Sequence, residues 1–216
     1  MTTKYKNKYR IESHRMPNWD YSRNGVYFLT FVTQNRECNL GIIHDGVMEL
    51  SDFGKIVDAQ FHLSFEIRNE LFLNEYIIMP NHLHTIVVLD NCATDGADNH
   101  HCNGCNGRYA RPCVSTPSPQ FAPSTPENIP IIRNIPIRKP KSISSFVAGF
   151  KSAINSKIDD YIDLHQLNIP KYNRYNHFFQ PNYHDHIVRN NEEHERIRRY
   201  IINNPQKWAD DSLQTL

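Results

Sequence analysis

Two short apolar runs, Glu75 to Met79 (EYIIM) and Leu83 to Leu89 (LHTIVVL), are separated only by Pro80, Asn81 and His82. Both are rich in β-branched residues and read as strands. Parallel neighbours need a crossover of a dozen residues or more, so strands joined this closely must be antiparallel. That commits the chain to an antiparallel sheet. Val26 to Thr33 (VYFLTFVT) reads as a further buried strand. Gly41 to Leu50 carries Asp45-Gly46 between apolar runs, a hairpin signal.

Helices account for most of what remains. Ser51 is placed to cap a helix from Asp52 to about Arg68, whose Phe53, Ile56, Val57, Phe61, Leu63, Phe65 and Ile67 recur at broadly helical spacing. A helical pattern resumes from Ile143 to about Tyr161. Phe178 to His186 is aromatic and polar and reads as extended. A last helix spans Glu192 to about Asn203 and is stopped by Pro205. Between the two blocks, residues 91–140 are rich in Asn, Gly, Pro, Ser and Thr without sustained period, an inserted linker too polar to bury a core. The expected organisation is therefore a basic N-terminal segment (1–24), one domain assembled from 25–90 and 141–208, the insertion, and a tail (209–216).

Net charge is only +1, so bulk charge does not announce a nucleic-acid binder. Basic residues do cluster at Lys4, Lys6, Lys8, Arg10, Arg15 and Arg23, at Lys139, Lys141, Lys151 and Lys157, and at Arg196, Arg198 and Arg199. No apolar run approaches the ~20 residues that span a bilayer, and no secretory h-region is seen, so a cytoplasmic protein is expected. The 5 cysteines are an odd count that suggests reduced thiols. Cys102 and Cys105, with Cys113, Cys92, His100 and His101 nearby, form half of a zinc pattern in a segment with few apolar residues.

Two patterns carry chemistry. In His82-Leu83-His84 the two imidazoles point to one face of a strand while Leu83 points to the other, which makes a two-nitrogen platform for a metal. A chance pair of surface histidines, in a chain with 12, is the bland alternative. In the last helix, Tyr200 and Asn204 stand four apart and share a face. A phenol beside an amide oxygen suits a nucleophile and a third ligand, and equally suits a core-edge tyrosine and a helix-capping asparagine. Tyr161, Tyr172, Tyr175 and Tyr183 are other tyrosines C-terminal to the histidines.

GIIHDGVMELSDFGKIV, EYIIMPNHLHTIVV, SSFVAGFKSAI and FFQPNYHDHIVRNNEEHERIRRYIINNPQKW occur in this order. In order and spacing the chain resembles the REP-associated tyrosine transposases, one-tyrosine transposases of the HUH endonuclease superfamily, from about Tyr27 to Trp208 except for 91–140. The resemblance implies an α+β, ferredoxin-like (RRM-like) antiparallel sheet with packed helices. It implies His82 and His84 as ligands of Mg²⁺ or Mn²⁺, Asn204 as a third ligand and Tyr200 as the nucleophile. Gln180 and His186 fall in a family motif near the site. The implied partner is single-stranded DNA with REP-like hairpins, nicked and rejoined in the cytoplasm near the nucleoid through a 5′-phosphotyrosine. Lys151, Lys157, Arg196, Arg199 and Tyr183 are candidate DNA contacts, and a homodimer stays open. The rival readings are a catalytically silent hairpin-binding protein and a metal phosphohydrolase that uses water.

Overall fold

A computed structural model of the chain describes residues 15–94, 138–173, 175–211 and 213, together with a small antiparallel pairing of the Lys4–Tyr5 and Lys8–Tyr9 backbones. The chain divides into one compact unit built from Met1–Asp95 and Arg138–Leu216 and a second over Gly96–Ile137. The second lies outside the described residues, as do Cys102, Cys105, Cys113, His100 and His101 of the zinc reading. Cys92, the one member of that set in the described part, is exposed and lies 3.2 Å from the Asn24 amide.

The first unit is α+β. Its strands and helices are β1 (Gly25–Val32), β2 (Gly41–His44), β3 (Val47–Leu50), α1 (Asp52–Glu66), β4 (Leu71–Met79), β5 (His82–Leu89), α2 (Ile143–Leu164), β6 (His184–Val188) and α3 (Asn191–Asn203). Strands β4, β5, β1 and β6 form a four-stranded sheet in that spatial order, and every neighbouring pair is antiparallel. With the β2–β3 hairpin set aside, the succession βαββαβ and this strand order make the fold ferredoxin-like. The hairpin turns at Asp45-Gly46, both at positive φ, the geometry that matches strand twist in a two-residue loop.

Local signals explain the helix boundaries. The Ser51 side chain accepts from the Gly54 amide and caps α1, while Ser142 and Ser145 close a reciprocal capping box on α2. The Asn190 side chain accepts from the Glu193 amide at the start of α3. Pro205 ends α3 and leads into a short 3-10 helix, Pro205–Asp210.

The two faces of the sheet are covered differently. On one, Leu29 and Phe31 of β1 and Leu83 and Val87 of β5 meet Val57 and Phe61 of α1 and Phe146, Phe150 and Ile154 of α2 in the main core. On the other, Val26 and Phe28 of β1 and Ile86 of β5 meet Ile197 and Ile201 of α3. The arrangement follows from period two in the strands and from the one-turn spacing of the two isoleucines in the helix. Arg198 pairs with Glu75 at 3.2 Å, and His194 meets Asn74 at the bulge in β4, so α3 is tied to the sheet edge as well as laid on it.

Gly54 marks a tight approach in this assembly, because a Cβ there would stand 2.1 Å from the Leu40 carbonyl oxygen, which is backbone and cannot yield cheaply. Gly54→Ala is expected to lower stability by about 1–3 kcal/mol, read as a lower denaturant midpoint at unchanged slope. A midpoint equal to wild type would show that the α1 entry can shift.

Candidate active site

The site sits on the α3-covered face of the sheet. The β1–β5 register sets Thr30 opposite His84 and Val32 opposite His82, so both rings share the face of Phe28 and Ile86. The ring centroids of His82 and His84 are 4.5 Å apart, and both side chains are buried. Helix α3 brings Tyr200 across from them: its hydroxyl lies 3.2 Å from His84 Nε2, and its ring meets the edge of Phe28. One turn on, Asn204 is buried beside Tyr200 and interacts with its hydroxyl.

The rings are held in defined orientations. The Asn81 amide nitrogen donates to the carbonyls of Arg36 (3.2 Å) and Leu213 (2.7 Å), which fixes the amide so that Oδ1 faces His82 Nδ1 at 2.8 Å. An oxygen there requires a proton on Nδ1, and His82 Nε2 is left with its lone pair. That nitrogen is buried without a hydrogen-bond partner. His84 Nδ1 meets Thr30 Oγ1 at 2.8 Å, and its Nε2 turns toward Tyr200. Asn204 Oδ1 is likewise buried with no hydrogen bond. Two orphaned acceptors beside a second imidazole nitrogen form the donor set that a divalent cation satisfies, with the far side of each ring already engaged. Among the described residues, no three His, Cys, Asp or Glu side chains make a metal site on their own; the Asn204 amide could supply an additional donor.

Three residues outside the sequence reading complete the surroundings. Asp211 places Oδ2 3.9 Å from His82 Nε2 with its side chain nearly buried. Trp208 stands beside the His82 ring at 6.0 Å between centroids. The Leu213 carbonyl anchors Asn81. Asp211 and Leu213 fall in the stretch read as a tail; an isolated Asp after a helix carries no periodic signal that would have singled it out.

Tyr200, Asn204 and Asp211 line a cleft of about 630 Å³ together with Arg196, Arg199 and Lys207. Arg196 also approaches Glu193 at 3.7 Å, and Arg199 donates to the Glu195 carbonyl. Burial, then the Asp211 carboxylate, push the Tyr200 phenol above its ordinary range, while its contact with Asn204 pulls the other way. Burial also brings His82 down to about 4, against a smaller opposing pull from Asp211. His84 is held well below its usual value by burial, then by His82 and His184.

The remaining candidates scatter. His186 is on the same sheet face and meets Glu193 at 2.8 Å. Lys157 pairs with Asp160 on the exposed side of α2. Gln180, Lys151 and Tyr183 stand on the α2 side of the sheet; Tyr183 is buried, stacked on Phe31.

No protein-family model matches the chain. An uncharacterised protein of Haemophilus influenzae is 27% identical over 216 residues, 99% of this chain and 98% of that protein. Among solved structures, a REP-associated tyrosine transposase bound to a REP hairpin is similar at 16% identity and TM-score 0.48, over 90% of this chain and 74% of that one. A Deinococcus radiodurans R1 protein provisionally described as a transposase is similar at 15% identity and TM-score 0.37, over 88% and 95%.

Two outcomes follow from this geometry. Both histidines are depressed in the folded state, so above the ordinary histidine value of 6.5 neither state takes up a proton and the rings add no pH dependence. As pH falls below 6.5, the unfolded chain binds protons that the folded chain refuses, and stability drops; the His82 share of that loss is complete near pH 4, where the folded ring also protonates. His82→Gln is expected to flatten the stability profile across that window, measured by chemical denaturation; an unchanged slope would remove the burial argument. Asn81→Leu removes the acceptor that selects the His82 tautomer and leaves two carbonyls unpaired. It is expected to cost about 1–3 kcal/mol and to replace the single Nδ1–H tautomer by a mixture in ¹⁵N NMR. A retained single tautomer would assign the selection elsewhere.

Proposed function

We propose that the protein is a divalent-metal-dependent tyrosine endonuclease and strand transferase, cutting and rejoining single-stranded DNA near hairpins. The observation that carries this reading is the approach of the Tyr200 hydroxyl to His84 Nε2 at 3.2 Å, beside buried His82 Nε2 and Asn204 Oδ1 atoms that make no hydrogen bond, with Tyr200 and Asn204 opening onto the cleft. His82, His84 and Asn204 would hold the ion, and their nitrogen and oxygen donors suit Mn²⁺ or Mg²⁺ with water and phosphate oxygens filling the remaining positions. The ion would supply Lewis-acid polarisation of the scissile phosphate.

The chain's own residues do the rest. Arg196, Arg199 and Lys207 outnumber Asp210 and Asp211 in the cleft lining and leave it positive toward a phosphodiester. Tyr200 stays protonated at neutral pH because its environment disfavours phenolate. With Nδ1 protonated toward Thr30, His84 Nε2 would hold the ion with its lone pair, and the Tyr200 hydroxyl would be left to face the cleft. As the tyrosine oxygen bonds to phosphorus, the bond to the 3′ oxygen breaks. The phenol's proton is released and a proton is taken up by the leaving oxygen, which gives a 5′-phosphotyrosine and a free 3′-hydroxyl. The phosphodiester's energy is kept in the protein–DNA link, and a 3′-hydroxyl reverses the step without a nucleotide cofactor.

Tyr200→Phe keeps the ring's packing on Phe28 and removes only the nucleophilic atom. It is expected to abolish cleavage and the covalent adduct on a labelled hairpin oligonucleotide with Mn²⁺, while calorimetric Mn²⁺ binding persists. Digestion of the wild-type adduct should leave nucleotide mass on the peptide that contains Tyr200. A Tyr200→Phe enzyme that still cuts and leaves a free 5′-phosphate would replace this reading with hydrolysis by water.

A further inference from the structure

On the α2 side of the sheet, away from the histidines, a second cleft of about 300 Å³ is lined by Arg15, Arg138, Lys151, His177, Ser144 and Tyr183 among others. None of its lining residues is acidic. The cations are positioned from several directions. Lys151 rises from α2 between the rings of Phe31 and Tyr183 and donates to the carbonyls of Gln180 and Pro181. Arg15 lies over the rings of Tyr21 and Tyr183 and donates to Ser144 Oγ at 3.0 Å. Arg138 is exposed at the rim. Asp185, a carboxylate that feels Arg15, is already engaged by the Tyr21 hydroxyl.

A largely buried ammonium with carbonyl partners but no carboxylate is expensive to keep charged. Burial, then the Arg15 guanidinium, lower Lys151 to about 8. The Tyr183 hydroxyl is buried and makes no hydrogen bond of good geometry, although Ser144 and Arg15 stand beside it. The cleft thus combines converging positive charge and two hydroxyls, and its Lys151 ammonium has carbonyl partners but no carboxylate. What this lacks is an anion with several acceptor oxygens.

We infer that this cleft is a second phosphate-binding site, which holds a backbone phosphate of the bound nucleic acid at a place remote from the reacting one. The inference rests on the proposed DNA substrate but not on the tyrosine chemistry. The Lys151 and Arg15 head groups are pre-set by their carbonyl, hydroxyl and aromatic contacts, so little side-chain freedom is lost on binding. A contact of this kind positions the strand without reading its sequence.

The test is anisotropy of a labelled single-stranded hairpin oligonucleotide in EDTA, where no cutting occurs, across a range of salt. Arg138→Ala with Lys151→Met is expected to weaken binding about tenfold and to make the plot of log affinity against log salt shallower by about 1. Arg138→Glu alone, at the exposed rim, gives the same direction if the Lys151 variant proves unstable. Affinity and slope equal to wild type in both variants would overturn the inference. It would also be overturned if inorganic phosphate, compared with chloride at matched ionic strength, stabilised wild type but not the variants while hairpin affinity stayed unchanged in them: the cleft would then be a small-anion site. The two readings fail separately, since wild type that binds the hairpin through this cleft but forms no adduct would remove the tyrosine mechanism alone.

Discussion

The register between β1 and β5 is the constraint on which the rest depends. Thr30 against His84 and Phe28 against Ile86 place one set of side chains under α3, while Leu29, Phe31, Leu83 and Val87 enter the main core. A slip of one residue would exchange the two sets. It would drive two imidazoles into the phenylalanine-rich core and turn large apolar residues toward Tyr200. The register is therefore enforced by burial on both faces, and the geometry of the histidine pair is a by-product of core packing. Backbone bonds lock the end of the β4–β5 hairpin: Thr33 donates to the Asn81 carbonyl and Leu40 to that of Pro80.

The site is built from two kinds of element with different physical demands. The sheet supplies nitrogen donors at fixed spacing, and their outer sides are bound by Asn81 and Thr30. The helix supplies a phenol and an amide at one-turn spacing, held down by Ile197 and Ile201. Burial makes both histidines hard to protonate, so each offers a lone pair well into the acidic range. The unpaired His82 Nε2 and an orphaned amide oxygen are an unsatisfied arrangement, the kind of local cost that a chain keeps where a ligand offsets it.

Much of this was legible in the sequence, and the particular residues explain why. The strands of β1, β4 and β5, the Asp45-Gly46 turn, the Ser51 cap and the stop at Pro205 all arise from local stereochemistry, and the observed elements match those expectations to within a few residues. The H-x-H pair followed from period two alone. The meeting of Tyr200 with His84 could not, since it depends on α3 crossing the sheet on the face opposite α1 and α2, a tertiary choice that periodicity does not carry; the resemblance named the residues and not the face. Asp211 and Leu213 were invisible because they act through single contacts after the last periodic residue. Tyr183 was a candidate DNA contact, yet with Phe178 and Phe179 it fills the α2-side core.

The contact between Tyr200 and His84 joins positions 116 apart in the chain. The three strands β4, β5 and β1, with both histidines, precede α2, whereas β6, α3 and the segment that reaches Asn81 follow it. Synthesis from the N-terminus thus completes the nitrogen platform long before the phenol exists. An emerging chain can settle its central sheet while chemically inert. The Tyr200–His84 contact forms only when the last helix docks, so the proposed chemistry would report on finished folding.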